Sequence, residues 1–355
     1  MARGSRTMQS MLRLMRAASP MRATTLLKQA QAGRAALHPG IWLRAAGLGW
    51  PPAKAHIAEP PDTEASGFET KTFSSRHGNR RYKLYVPQRA HLHPLPLLVM
   101  LHGCTQSPDD FAAGTRMNQL AETYGFLVAY PEQPASANPQ KCWNWFSPPG
   151  QRRGGGEPAV IAGLTLSVIR SQHADTRRVY VAGLSAGGAA AAIMGAAYPE
   201  IYAAIGVHSG LACGAASGHA SALSAMRRGP APLGPRLSTG RAVPTIVFHA
   251  DADGTVHPGN GDQVLAQAIG AEQGNLVATV EQGQVPGGHA YIRRGFASAG
   301  AIPRFEHWVI HGGGHSWSGG SAAGSYTDPR GPDASRAMLE FFLTQTHPGR
   351  RRKPG

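Results

Sequence analysis

The sequence predicts an α/β fold, a mostly parallel sheet covered by helices on both faces. Three observations carry this expectation. Short apolar runs such as Leu95–Leu101, Phe126–Tyr130 and Thr245–His249 alternate with stretches of helical spacing, the pattern of strands joined by crossover helices. These runs have no alternating polar face, so each strand is expected to be buried on both sides. The third observation is Arg178–Gly188, RVYVAGLSAGG, which leads into an alanine-rich run ending at Pro199. It reads as a buried strand, a tight turn and a helix.

Taken in order, residues 1–65 have a mixed Ala/Arg/Pro composition that ends in Pro51-Pro52 and Pro60-Pro61. They read as a basic extension and linker. Met8, Met11, Leu12 and Met15 share one helical face, with Arg13 and Arg16 off it. The alternatives for this leader are a poorly ordered tail, a weak contact with a membrane or lipid-coated granule, and an organelle transit peptide. The domain proper is expected over residues 66–346, with a basic tail at 347–355. Phe68–Phe73 and Arg81–Val86 alternate well enough for a strand pair turned at His77-Gly78-Asn79. After the Leu95–Leu101 strand, Phe111–Tyr124 has helical spacing and Phe126–Tyr130 is the next strand. Val160–Gln172 and Ala189–Tyr198 are predicted helices, and Ala203–Val207 and Thr245–His249 are further strands. Two stretches break the alternation, Pro134–Glu157 and Ala215–Arg241. Insertions after strand ends sit above a site and shape its entrance. Trp143 and Trp145 in the first are either cleft-lining rings or core anchors.

The net charge of +15 over 355 residues resembles a nucleic-acid signal until it is mapped. Residues 1–54 carry nine Lys/Arg and no acid, and Arg350–Lys353 add four more, which leaves 22 basic and 20 acidic residues elsewhere. The domain is therefore near neutral, and no nucleic-acid partner is expected. No run of 18 apolar residues is present, so no transmembrane helix is expected. Three cysteines, Cys104, Cys142 and Cys213, make neither a disulfide framework nor a metal spacing. Free thiols are the expectation, with a Cys142–Cys213 bridge as the alternative.

The chemistry starts at Gly183-Leu184-Ser185-Ala186-Gly187. A turn of this kind pushes Ser185 out at the strand's carboxyl end in a backbone conformation that only small neighbours permit. The helix that follows aims free N–H groups at the point where an oxyanion would develop. A serine hydroxyl needs a histidine base, and that base needs a carboxylate to fix its tautomer. Thr245–Ala250 opens into Asp251-Ala252-Asp253, and Glu306–Ile310 opens into His311-Gly312-Gly313-Gly314-His315. Asp253 lies deeper in its loop and is favoured as the acid, with Asp251 stabilising the turn. His315 is favoured as the base because glycines let its loop fold over the sheet. His307, His311 and His257 read as surface or strand-edge residues, and His102 and His249 as loop-ordering hydrogen-bonders. The N–H of Ala186 and that of Cys104, after an earlier strand, are the candidate oxyanion hole. Trp143, Asn144 and Trp317 are the candidates for the substrate cleft. This chemistry requires no cofactor and no metal.

Several motifs occur together in one order: His102–Gln106, Cys142–Phe146, Arg152–Glu157, Gly183–Gly188, His208–Leu211 and Gly314–Gly320. Over roughly residues 68–345 the chain resembles the polyhydroxybutyrate depolymerase family of esterases, relatives of feruloyl and acetylxylan esterases. The resemblance implies an α/β-hydrolase fold, a Ser185–Asp253–His315 triad, an oxyanion hole at Cys104 and Ala186, and a polyester or oligoester substrate of short hydroxy acids. It leaves a feruloyl or acetylxylan ester open, and a non-catalytic binder of granule or membrane surfaces as a further alternative. Secreted depolymerases that resemble this chain carry a clear signal peptide and a polymer-binding module. Their departure here favours a cytoplasmic, granule-associated enzyme, with secretion as the alternative.

Overall fold

The computed structural model describes residues 67–88, 94–232, 241–272 and 274–348. The expected extension at 1–65, and the tail from 349 on, lie outside the described residues. In chain order the strands are β1 (Phe68–Ser75), β2 (Gly78–Tyr85), β3 (Leu97–Leu101), β4 (Leu127–Pro131), β5 (Val179–Leu184) and β6 (Ala204–His208). They continue as β7 (Thr245–Ala250), β8 (Val277–Gln284), β9 (Ala290–Ala297) and β10 (Phe305–Ile310), followed by the short pair β11 (Trp317–Ser318) and β12 (Thr327–Asp328). The helices are α1 (Pro108–Thr115), α2 (Met117–Tyr124), α3 (Gly156–Ser171), α4 (Ala186–Ala197), α5 (His219–Arg228), α6 (Gly259–Gly270) and α7 (Ala334–Thr344).

One ten-stranded sheet runs β1-β2-β4-β3-β5-β6-β7-β10-β9-β8. Its six central strands, β4 to β10, are mutually parallel, and antiparallel pairs flank them on either side. The predicted two-sided burial is visible along β3. Leu97, Val99 and Leu101 enter the core beneath α3, α4 and α6, while Leu98 and Met100 enter the core beneath α1, α2 and α7. That period of two, apolar on both faces, is why the run carries no polar alternation.

The predicted helix at Phe111–Tyr124 is instead two helices. Arg116 sits between them in the left-handed region, at φ 53°. Gly114 lies two residues earlier, still inside α1, and neither glycine nor proline occupies the break itself. Its cause is tertiary: the Arg116 guanidinium donates to the Gly319 carbonyl at 2.7 Å, and its own N–H closes α1 on Ala112. The hairpin β8–β9 also went unforeseen, because its half-exposed residues give neither a continuous apolar run nor strict alternation. His307, expected at a surface or strand edge, is buried in β10 between β7 and β9.

The sheet brings the strand end of β3 against the start of α4. A Cβ on Gly187 would lie inside van der Waals contact of the Leu101 carbonyl oxygen, and one on Gly183 would strike the Gly187 backbone. Gly187→Ala is therefore expected to cost about 3 kcal/mol of unfolding free energy, measured by urea denaturation. A loss below about 0.5 kcal/mol would mean that β3 and α4 can separate freely.

Candidate active site

Ser185 caps the end of β5 with φ 57° and ψ −118°, a conformation unusual for any residue with a side chain. It is held there by its N–H, which donates to the His208 carbonyl at 2.9 Å, and by its carbonyl, which accepts from Ala189. Ala186 opens α4, so its N–H has no acceptor within the helix. The loop after β3 leans on the elbow: a Cβ on Gly103 would lie 3.7 Å from the Ser185 Cβ. Ser185 and the Cys104 loop are thus brought together, and the backbone N–H of Cys104 has no acceptor among the described residues.

Asp253 lies in the loop after β7, with its carboxylate buried. One oxygen accepts from the N–H groups of Thr255 and Val256 at 2.9 and 2.8 Å. The other accepts from His315 Nδ1 at 2.8 Å, and His249 Nε2 stands 3.4 Å away. Burial works against ionisation here, but the hydrogen bonds from His249 and His315 outweigh it and hold the acid well below the usual carboxylate range. An ionised carboxylate only accepts, so Nδ1 of His315 carries a proton, and in the neutral imidazole Nε2 holds the lone pair. The structure thus joins Asp253 and His315 directly, in the loops at the carboxyl ends of β7 and β10, the same edge of the parallel sheet at which Ser185 follows β5.

The remaining predicted residues sort clearly. Asp251 ties the turn, accepting from His311 Nδ1 and Gly312 N–H at 2.7 Å each. His249 Nε2 donates to the Val256 carbonyl at 2.9 Å. His102 accepts from the Gln133 N–H through Nε2 and donates from Nδ1 to the Gly103 carbonyl. Both order loops, as their strand-end positions suggested. The cleft assignments of Trp143 and Trp317 need correction: both are fully buried. Trp143 donates to the His102 carbonyl, and Trp317 donates to Ser335 Oγ. Trp145 is buried as well. Asn144 spends its amide on Glu157 and Asn138. These residues build the floor under the loops, because an indole N–H that finds a partner can be buried whole.

The cysteine expectation is also corrected. Cys104 and Cys142 form a disulfide, and Cys213 is the free, buried thiol, its pKa pushed up to about 12 by burial. The segment after β4 folds back over the end of β3, where Thr105 N–H donates to the Gln140 carbonyl at 2.7 Å. Pairing of this kind depends on loop geometry and cannot be deduced from cysteine counts. His208 was not singled out as a site residue, yet it underlies the site. Its Nε2 accepts from the Ser318 N–H at 3.0 Å and its Nδ1 donates to Ser209 Oγ at 3.2 Å, while its ring stacks on Trp317 and Phe248. Its place at the end of an apolar strand was the signal available. Among the described residues, no three His, Cys, Asp or Glu side chains converge to hold a metal ion.

The chain has known relatives. The family model described as Esterase PHB depolymerase matches residues 80–282. The chain is 31% identical to a poly(3-hydroxyalkanoate) depolymerase C from Paucimonas lemoignei, covering 70% of this chain and 61% of that one. It is also 31% identical to feruloyl esterase B from Neurospora crassa, covering 57% of this chain and 74% of the relative. The chain thus spans about three fifths of the length of the depolymerase. Among solved structures, an acetyl xylan esterase from Aspergillus awamori aligns with a TM-score of 0.59 at 21% identity, over 78% of this chain and 99% of that one. An S-formylglutathione hydrolase from Agrobacterium tumefaciens aligns with a TM-score of 0.50 at 15% identity, over 79% and 97%. These structural likenesses establish the α/β-hydrolase fold.

Two expectations follow. Burial lowers the pKa of His102 to about 4, and those of His208 and His307 to about 3. Below pH 6.5 the unfolded chain binds protons that the fold refuses, so stability falls as pH drops from about 6.5 towards 3–4. Each imidazole contributes about 1.4 kcal/mol per pH unit, and urea unfolding at pH 5.5 should show a loss of roughly 4 kcal/mol against pH 7.5 or above. An unchanged midpoint would mean that these rings take up protons in the fold. Separately, Cys142→Ser should remove about 3–4 kcal/mol through the loop that the disulfide closes, with faster amide exchange at Cys104–Gln106. Unaltered exchange there would show that the remaining hydrogen bonds hold the loop unaided.

Proposed function

This chain belongs to the PHB depolymerase family of esterases and is a carboxylic ester hydrolase; from that premise we propose that it cleaves poly(3-hydroxybutyrate) or its oligomers through an acyl-enzyme. The observations that support the mechanism are the bond from His315 Nδ1 to the buried, ionised Asp253 and a serine held in a strained turn at the end of a strand of the same parallel sheet. In this reading His315 Nε2 takes the proton of Ser185 Oγ as it attacks the ester carbonyl. The N–H groups of Ala186 and Cys104 receive the oxyanion, each worth about 2.7–4 kcal/mol in the transition state. His315 then protonates the departing alcohol, and the same imidazole activates the water that releases the hydroxy acid. Asp253 stays ionised throughout and offsets the imidazolium charge. A protein that only binds surfaces has no use for a strained serine, which argues against the non-catalytic alternative.

A second reading has its own support. The feruloyl esterase relative and the acetyl xylan esterase structure favour a plant-wall ester on the same machinery, since shared catalytic parts do not define the acyl pocket. On localisation, the Cys104–Cys142 bond is of a kind that persists in oxidising compartments, and it weighs towards an enzyme working outside the cytoplasm.

Ser185→Ala is expected to lower ester turnover by about 10⁴-fold or more with its unfolding midpoint retained. The measurement is acid release from amorphous poly(3-hydroxybutyrate) and soluble oligomers, against methyl ferulate. Release of 3-hydroxybutyrate that vanishes in the variant supports the oligoester reading. Activity on ferulate alone moves the substrate to the plant-wall esters, and full turnover by the variant overturns the mechanism.

A further inference from the structure

Tyr326 stands apart from the other aromatic side chains of this molecule. Among the described residues it is the one Phe, Tyr or Trp side chain left largely exposed, at 46%. It also adopts the left-handed region, φ 52°, where a bulky side chain is an outlier. Nothing at this position is loose. The Tyr326 carbonyl accepts from the Trp317 N–H at 2.7 Å. The preceding residue is fastened by the Ser325 N–H and Oγ, which donate to the two Asp110 oxygens at 2.8 and 2.6 Å. Gln106 Nε2 donates to the Ser325 carbonyl at 3.1 Å, and Thr327, which follows, pairs with Trp317 across β11 and β12.

The ring is also tied to the candidate oxyanion loop. Thr105 Oγ1 donates to the Cys104 carbonyl at 2.6 Å. A hydroxyl has one proton to give, so the 3.2 Å contact between Thr105 Oγ1 and the Tyr326 hydroxyl is donated by the tyrosine. Thr105 is itself left-handed, at φ 66°. Two strained residues that touch, one carrying an open aromatic face, border the backbone N–H assigned to the oxyanion. A ring that only braced the loop would gain more by burial, as Trp143 and Trp317 do in the same region. Strain kept at an exposed, fully pinned aromatic points to a ligand, and a rigid ring of this kind offers apolar contact area at little entropic cost.

Resting on the ester-hydrolase reading above, we propose that Tyr326 is a specificity-determining residue whose ring receives the apolar part of the ester substrate next to the scissile bond. An acetyl ester is too short to cover the ring. A linear oligoester carries a methyl-bearing unit to it.

The test compares kcat and KM of the wild type, Tyr326→Gly and Tyr326→Phe on the linear 3-hydroxybutyrate trimer and on ethyl acetate. Glycine is chosen because it is at ease at positive φ, and thermal melting verifies that the variant is folded. The expected result is that glycine raises KM for the trimer and lowers the trimer-to-acetate ratio of kcat/KM by about tenfold. Phenylalanine, which keeps the face and loses the hydroxyl, should stay within about threefold of the wild type. Equal losses on both substrates, or a phenylalanine variant as impaired as the glycine one, would make Tyr326 a brace for the loop and overturn the proposal. So would a glycine variant with an unaltered ratio. A wild type that cleaves the acetate but not the trimer refutes the oligoester reading alone. The same comparison with methyl ferulate in the trimer's place then decides the role of Tyr326. A wild type inactive on every ester refutes the hydrolase mechanism and this assignment with it.

Discussion

The close approach of α4 to the end of β3 is the constraint on which the site depends. Gly187 lies so near the Leu101 carbonyl that no side chain fits between them, and this contact fixes where the helix begins. Once it is set, the chain has a single turn in which to pass from β5 to α4, and Ser185 takes up the left-handed strain at a cost of about 1–3 kcal/mol. The surroundings hold it there: the end of β6 accepts its N–H, and alanine and glycine make α4 thin enough to pack flat on the sheet. The same contact draws the loop after β3 beside the serine, so the two backbone N–H groups proposed for the oxyanion come from elements that already touch.

A second requirement is electrostatic. A buried carboxylate is costly unless donors surround it, and Asp253 is supplied by two backbone N–H groups and by His315, with His249 close behind. The buried histidines His102 and His208 serve differently. Each stays neutral and uses one ring nitrogen to give and the other to accept, which joins loops from separate strand ends. His208 links the end of β6 to Ser318, three residues beyond His315. The loop that carries His315 is therefore anchored to the strand that supports Ser185, and Arg116 adds a further tie to Gly319.

Much of this was legible in advance, for a physical reason. Central parallel strands are buried on both faces and so produce short continuous apolar runs rich in Leu, Val and Ile, which their length and flanking turn residues separate from a buried helix. The elbow announces itself because Gly183 and Gly187 must pass each other within one turn of chain. Asp253 and His315, which the structure joins, could be singled out from sixteen histidines and a pair of neighbouring aspartates because each follows a strand end. What was missed depends on distant partners. The break at Arg116 arises from a carbonyl some two hundred residues away. The β8–β9 hairpin is half exposed, so neither periodicity nor apolarity marks it. Trp143 and Trp317 look the same in sequence whether they line a cleft or fill a core, and the acceptors His102 and Ser335 decide between the two.

By itself, then, the sequence determined the alternating fold, the elbow at Ser185 and the strand-end positions of Asp253 and His315, because local sterics and burial periodicity act over short stretches of chain. Only the tertiary structure decided which cysteines join, that Trp143 and Trp317 are interior, and that Tyr326 is held exposed against Thr105. Those outcomes are set by which loops meet at the carboxyl end of the sheet, and such meetings are made between residues far apart in the chain.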